Sequence, residues 1–286
     1  MRDEHRVVAG LDGSTTARSA ADWAAQDAWR RGATLLLVHV AQPTLGGGYP
    51  APTLTPAKAP DAILRWARRM LADVAAELTA VRPGLVVQTR TRQGMPGSVL
   101  VKESRQAVLT VVGSHGREYL ADALCGSVAT RLAGHGHGCV VIVPSMPARS
   151  RATAADRVGP VVVGVDGSAQ AEAAIGFAFD EAAMRGASLV AVNAWNGKAA
   201  DVEDRRVLAE HLAAWAKKYP KVTTSEVLVR GRPAPALLHY VADAEPQLLV
   251  VGSRGRGGFA RLVLGSTGMA VVRRAAACPV AVVRGQ

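Results

Sequence analysis

The chain has 286 residues, of which 49% are hydrophobic and only 4% aromatic, so Val, Leu and Ala must build its core. This length suits one large domain or two of ordinary size. The net charge of +11 favours anionic ligands, but no dense basic tail and few aromatic residues accompany it, so nucleic acid is not the expected partner. No apolar run reaches membrane-spanning length and residues 1–6 contain no signal-peptide core, so we expect a cytoplasmic protein without membrane contact.

The cysteines and the paired histidines of the chain do not suggest a metal site. Cys125, Cys139 and Cys278 form no CxxC pair and show no metal-ligand spacing, which fits a reducing compartment. The segment 135–137 (HGH) is interpreted as a turn, because the corresponding segment of the second half offers no metal ligand. We therefore assign no metal-ligating residues.

In the first half, apolar runs alternate with segments of helical periodicity. The runs predict strands at 6–11, 34–40, 85–91, 108–112 and 139–143. The helical segments and their stop signals predict helices at 15–31, 61–80, 96–106 and 127–133. Such alternation predicts a parallel α/β sheet with right-handed crossovers. The Pro/Gly-rich segment 42–60 is interpreted as a mobile insertion, with a lid or partner surface as the alternative.

The second half of the chain repeats the first. Residues 161–168 (VVVGVDGS) repeat 7–14 (VVAGLDGS), and 185–190 (RGASLV) repeat 31–36 (RGATLL). Between the two copies lies a polar segment containing Arg, Ala and Pro. We therefore predict a tandem duplication with a first domain at 1–146, a linker at 147–158 and a second domain at 159–286.

A glycine-rich motif occurs in both halves at the same spacing. The sequence VVGSHG at 111–116 is followed after nine residues by Gly126-Ser127, and VVGSRG at 250–255 by Gly265-Ser266. Glycines allow the backbone to turn sharply and approach a ligand. The helix that begins at each Gly-Ser pair presents N–H groups and a positive dipole end that suit a phosphate. Two copies at one spacing argue against a glycine-rich turn that arose by chance.

Each half resembles the ATP-binding branch of the universal stress protein family, from about residue 6 to residue 283. The resemblance depends on the strand-end residues Asp12 and Asp166 and on the pattern Gly-x2-Gly-x9-Gly-Ser. It implies a five-stranded parallel sheet per domain, in the order 3-2-1-4-5, with helices on both faces. It also implies ATP, with Mg²⁺, at the carboxyl ends of the first and fourth strands, where such sheets bind ligands. Pairing of the edge strands would make the chain pseudo-two-fold and allow a homodimer.

The same resemblance implies the residues that contact the nucleotide: glycine loops for the phosphates and ribose, aspartates for a ribose or adenine donor, and the end of the second strand for adenine. In the first half these are Asp12, Val40, Gly113, Gly116, Arg117, Gly126 and Ser127. In the second half they are Asp166, Ala194, Gly252, Arg254, Gly255, Arg256, Gly265, Ser266 and Thr267. Asp-Gly-Ser is also ordinary turn and helix-capping chemistry, so the aspartates have a structural interpretation that is compatible with ligand contact.

The two glycine loops differ in charge. The second offers Arg254, Arg256 and Arg261 to a polyphosphate, whereas the first offers Arg117 together with two nearby carboxylates. Carboxylates near a triphosphate are unfavourable unless they point away or bind a cation. We therefore expect the second site to bind ATP more tightly.

These features predict an ATP-binding stress-response regulator or sensor that acts on an unidentified protein partner, not a metabolic catalyst. A slow ATPase or phosphotransferase is one alternative, although the sequence has no G-x4-G-K-[ST] loop and we assign no catalytic residue. A scaffold whose nucleotide sites have decayed is the other alternative, against which the intact second motif argues.

Overall fold

The computed structural model describes residues 6–42, 59–115, 125–145, 158–168, 171–195, 201–253, 264–274 and 278–285. The chain divides into two compact units, Met1–Ala155 and Asp156–Gln286. Most of the predicted linker lies outside the described residues, so the predicted bounds at 146 and 159 stay a prediction. None of the helices in the described ranges combines the length and the apolar character needed to cross a membrane.

The described part of the first unit alternates strands and helices as the sequence predicts. Its strands are β1 (Arg6–Gly10), β2 (Thr34–Ala41), β3 (Val87–Gln93), β4 (Leu109–Gly113) and β5 (Cys139–Val143). Its helices are α1 (Thr15–Arg31), α2 (Ala59–Val81), α3 (Pro96–Glu103) and α4 (Ser127–His135). The strands are hydrogen-bonded in the order β3-β2-β1-β4-β5 and every pair is parallel, which confirms the α/β fold.

The second unit has the same order of elements. Its strands are β6 (Val161–Val165), β7 (Leu189–Trp195), β8 (Thr224–Arg230), β9 (Leu248–Gly252) and β10 (Val280–Val283). Its helices are α5 (Glu172–Arg185), α6 (Asp201–Lys218), α7 (Pro233–Ala244) and α8 (Ser266–Arg274). Within this unit the strands follow the order β8-β7-β6-β9-β10 and pair in parallel. The arrangement of the two sheets relative to each other, including the pseudo-two-fold symmetry, stays a prediction.

Burial along the strands explains why their sequences differ. Every residue of β1 and of β5 is buried, as expected for strands covered by helices on both faces. Strand β3 lies at the edge and most of its side chains are at least partly exposed. It begins at Val87, two residues later than predicted, because the buried Leu85 belongs to the turn after α2, where its N–H bonds to the Arg82 carbonyl oxygen at 3.1 Å.

Helix α1 begins and ends where its capping residues predict. The Ser14 side chain accepts a hydrogen bond from the Ala17 N–H at 3.1 Å, which caps the first turn. Gly32, at φ 62°, ends the helix in the left-handed conformation that glycine adopts at little cost. Helix α3 is shorter than predicted, since residues 104–106 form a 3-10 turn and the Ser104 hydroxyl donates to the Val101 carbonyl oxygen at 2.8 Å.

An aromatic stack joins α6 to α5. The ring of Phe179 lies 6.2 Å from that of Trp215 and 5.7 Å from that of Tyr219. The Tyr219 hydroxyl donates a hydrogen bond to Asp180, and this bond, with burial, raises the pKa of Tyr219 to about 12. The Lys218 ammonium lies 4.6 Å from the centre of the Trp215 ring. Trp215 therefore packs between helices, as its helical position predicts.

An ion pair with a buried carboxylate occurs at the same place in both units, near the end of the helix that follows the first strand. Arg31 Nε lies 2.6 Å from Asp27 Oδ2, and Arg185 Nη2 lies 2.7 Å from Glu181 Oε2. The side chains of Glu181 and Arg185 are almost completely buried. Removing one member of such a pair leaves the other charge in a medium of low polarity, which is strongly destabilising.

We expect Glu181→Ala to lower the free energy of unfolding by about 3 kcal/mol, because the Arg185 guanidinium loses its buried carboxylate partner. Urea unfolding followed by circular dichroism measures the change. Glu210→Ala is the matched control, since it removes a carboxylate from an exposed helical pair with Arg206 and should cost close to nothing. Equal unfolding midpoints for the two variants would contradict the prediction.

Candidate functional site

In the first unit, three residues at or just after the ends of neighbouring strands lie side by side. The registers of β1 with β2 and of β1 with β4, continued past the last paired residues, place Asp12 level with Val40 on one side and with Ser114 on the other. Neighbouring strands are about 4.8 Å apart, so the three residues line one short stretch of the carboxyl edge. The connection after β1 leads to β2 on one side and the connection after β4 leads to β5 on the other, and open α/β sheets bind ligands at such a switch point.

The second unit reproduces this arrangement. The registers of β6 with β7 and of β6 with β9, continued in the same way, place Asp166 level with Ala194 and with Ser253. Two of the predicted contact residues, the aspartate and the residue at the end of the second strand, therefore lie next to each other in both units.

Both aspartates hold the turn that follows the first strand of their unit. Asp12 Oδ1 accepts a hydrogen bond from the Ser14 N–H at 2.9 Å. Asp166 Oδ1 accepts from the Ser168 N–H at 3.0 Å and from the Ser168 hydroxyl at 2.6 Å. Both are partly exposed. The structural interpretation of Asp-Gly-Ser is thus observed, while ligand contact by the carboxylates stays a prediction.

A backbone hydrogen bond joins the two ends of each glycine loop. The Gly126 N–H donates to the Ser114 carbonyl oxygen at 2.6 Å, and the Gly265 N–H donates to the Ser253 carbonyl oxygen at 2.8 Å. The chain therefore leaves the end of β4 or β9 and returns to the same point. The predicted loop residues Gly116, Arg117, Arg254, Gly255 and Arg256 lie outside the described residues.

The closing bond places the N-terminus of a helix at the carboxyl edge of each sheet. Helices α4 and α8 begin directly after Gly126 and Gly265, at Ser127 and Ser266. Gly126 makes no side-chain bond to the first turn of α4, and both serines are exposed. The first N–H groups of a helix lack partners inside the helix and carry partial positive charge, so this end can bind an anion. Thr267 follows in the first turn of α8 and is partly exposed.

The glycine at the end of β4 serves packing as well as any ligand. A Cβ on Gly113 would lie 2.8 Å from Thr16 Cγ2 and 3.0 Å from the Thr16 carbonyl carbon. The first turn of α1 therefore rests directly on the end of β4. In the second unit the carbonyl oxygen of Gly252 lies 3.4 Å from the position of a Cβ on Gly268 in α8. The sequence motif suggested only an approach to ligand, whereas helix packing also requires Gly113.

Several residues that lie at this edge carry no site prediction from the sequence. Ser114 and Ser253 are buried at the ends of β4 and β9, and the Ser114 hydroxyl oxygen lies 2.8 Å from His115 Nδ1. Trp66 of α2 lies above Gly13, and its ring meets that of His39. The serines could have been found from their position in the VVGS motif. Trp66 could not, because its contacts join residues far apart in the chain.

No group of three or more His, Cys, Asp or Glu side chains in the described ranges is placed to hold a metal ion.

Known proteins share this fold and its duplication. The model of the universal stress protein family matches residues 4–144 and 158–284. Universal stress protein Rv2623 of Mycobacterium tuberculosis is 38% identical over 295 residues, covering 94% of this chain and 93% of that protein. Universal stress protein Rv2005c of the same organism is 37% identical over 301 residues, covering 99% and 98%.

A solved structure supports the fold independently of sequence. The crystal structure of a universal stress protein from Archaeoglobus fulgidus matches 99% of this chain and 97% of that one, with a TM-score of 0.74 at 22% identity. Because the family model matches both units, and relatives of similar length match along nearly their whole sequence, this chain belongs to the universal stress protein family and carries two of its domains in tandem.

Proposed function

We propose that this protein binds ATP, with Mg²⁺, at the carboxyl edge of each unit and acts as a nucleotide-dependent regulator or sensor in the stress response. The observation that carries the proposal is the loop closure found in both units, from Gly126 to Ser114 and from Gly265 to Ser253. In each unit this bond places the N-terminus of a helix, α4 or α8, at the end of β4 or β9. That strand is the neighbour of the strand that the aspartate follows. The helix N-terminus suits the phosphates of a nucleotide, and the carboxylate beside it suits a donor on the ribose or the adenine.

The described residues fit the chemistry of ATP. First-turn N–H groups of α4 and α8 are donors for phosphate oxygens. Asp12 and Asp166 are acceptors for a ribose hydroxyl or the adenine amino group, or act with phosphate oxygens on Mg²⁺. Main-chain groups near Val40 and Ala194 can pair with the adenine edge, which explains why side chains there need not match between units.

Regulation would follow from linkage. A ligand that binds only the folded, closed-loop form stabilises that form by about 2.7 kcal/mol at a concentration one hundred times its Kd. Closed loops then present a different surface to a protein partner or to a second copy of the chain, and the nucleotide biases that contact by its preference for one form. We propose a homodimer as one such assembly, built on a pseudo-two-fold chain.

A slow ATPase or phosphotransferase is the second candidate. The observation that favours it is the contact between the Ser114 hydroxyl and His115 Nδ1, a hydroxyl–imidazole pair of the kind that activates nucleophiles. Arg254 takes the place of His115 in the second unit, so hydrolysis would belong to the first unit alone. Phosphate release that persists unchanged in His115→Gln would remove this support.

We expect the two sites to differ in their affinity for ATP when each is disabled separately. Asp12→Ala removes the carboxylate of the first site and Asp166→Ala that of the second, so calorimetric titration with Mg·ATP should show one remaining site in each variant. The Asp12→Ala chain should bind ATP more tightly, because the second loop offers three arginines and no carboxylate. Equal affinities in the two variants would reject the asymmetry, and two full sites in both would reject the role of the aspartates.

We also expect a new carboxylate at the N-terminus of α4 or α8 to lower nucleotide affinity without lowering the stability of the fold. Ser127→Asp and Ser266→Asp should leave the melting temperature unchanged or slightly raised, because an acidic residue suits the positive end of a helix. Nucleotide affinity should fall by at least about tenfold, because the new charge repels phosphate. The neutral Ser→Asn variants at the same positions are the matched controls. Binding that is the same in Asp and Asn variants would show that phosphate does not lie at these helices.

A further inference from the structure

The side chain of Trp66 lies against the turn that carries Asp12. A Cβ built on Gly13 would lie 3.1 Å from Trp66 Cη2 and 3.2 Å from Cζ2, so the edge of the indole that carries these two atoms lies against this residue. Gly13 has φ 86°, and its missing side chain leaves the room that the indole takes. Trp66 is only partly buried. The indole thus lies next to the residue that follows the predicted acceptor carboxylate, Asp12.

A buried histidine supports this indole from the side of the sheet. The His39 ring lies 5.5 Å from the Trp66 ring at an interplanar angle of 78°, an edge-to-face contact that fixes the tilt of the indole. His39 Nδ1 lies 2.8 Å from the carbonyl oxygen of Leu11, the residue before Asp12. His39 is almost completely buried. Strand β2, the turn after β1 and helix α2 are therefore joined around one aromatic side chain.

The second unit has a different residue at this place. Matching the start of β8 to that of β3, and the end of α6 to that of α2, places Glu203 at the position of Trp66. The register of β6 with β7 places Asn193 at the position of His39. At these two aligned positions the second unit therefore carries Glu203 and Asn193 in place of an indole and an imidazole.

We propose that Trp66 stacks on the base of a purine nucleotide bound beside Asp12, so that the first site recognises the nucleoside more than the phosphates. This inference rests on the proposed function, and it names the ligand class of the first site. Stacking on an aromatic side chain needs no particular number of phosphates. The first site therefore accepts AMP nearly as well as ATP, whereas the second site requires the triphosphate.

The test uses the full chain with Asp166→Ala, which leaves the first site, and compares AMP with Mg·ATP by calorimetry. Adding Trp66→Leu should weaken AMP binding about tenfold, because the stacking surface is lost. Adding Trp66→Phe should retain most of the affinity. Trp29→Leu is the matched control: this indole is 48% exposed, lies in the last turn of α1 and bonds to the Pro83 carbonyl oxygen at 3.1 Å.

Tryptophan fluorescence gives a readout that does not depend on how well the Leu variant folds. AMP should quench the emission of the Asp166→Ala chain, and the quenching should disappear in Trp66→Phe although AMP still binds. Equal AMP affinity in the Trp66→Leu and Trp29→Leu chains, or quenching that persists in Trp66→Phe, would overturn the inference while leaving nucleotide binding intact. Failure of the Asp166→Ala chain to bind any nucleotide, with the Asp12→Ala chain also unable to bind, would instead overturn the proposed function and this inference with it.

Discussion

The closing hydrogen bond between a helix start and a strand end is the constraint on which both sites depend. It joins Gly126 to Ser114 in one unit and Gly265 to Ser253 in the other. Because the bond involves only backbone atoms, it fixes where α4 and α8 begin whatever the sequence of the loop between. The loops are therefore free to differ in charge while the helix N-termini keep their place at the carboxyl edge, so one scaffold can carry two sites of different preference.

The base of the site is rigid for reasons that lie in the packing of α1. Gly113 allows the backbone of Thr16 to rest on the end of β4, and the Ser14 hydroxyl caps the same helix. At its other end the buried carboxylate of Asp27 pairs with Arg31, and an equivalent pair occurs in the second unit. The helix that follows Asp12 is thus fixed at both ends, and the carboxylate has little freedom to move. A preorganised acceptor loses little entropy on binding.

Local sequence predicted the α/β fold of each unit, and the proposed site lies at the carboxyl edge that it indicates. Runs of Val and Leu specify buried parallel strands, and Ser14 and Gly32 specify the ends of α1, because each signal acts through neighbours in the chain. The same logic failed at β3, where Leu85 continues the apolar pattern of a strand but is buried by a turn. Residues that act across the fold, such as Thr16 beneath Gly113, left no local signal.

Trp66 shows most clearly what local sequence cannot predict. Its helical position favoured a packing role, and only the fold brings it above the turn after β1 and beside His39. The duplication offered an indirect signal, since the tryptophan of the first copy aligns with a glutamate in the second copy.

The central claim is that the two edges are working nucleotide sites, and the nucleotide content of the purified protein tests it most directly. Denaturing the protein and separating the released small molecules by chromatography identifies and counts them. The account predicts adenine nucleotide at roughly one to two molecules per chain, since a ligand that stabilises the folded form is retained with it. A protein that releases none and also fails to bind added Mg·ATP would contradict the account and leave an interaction scaffold in its place.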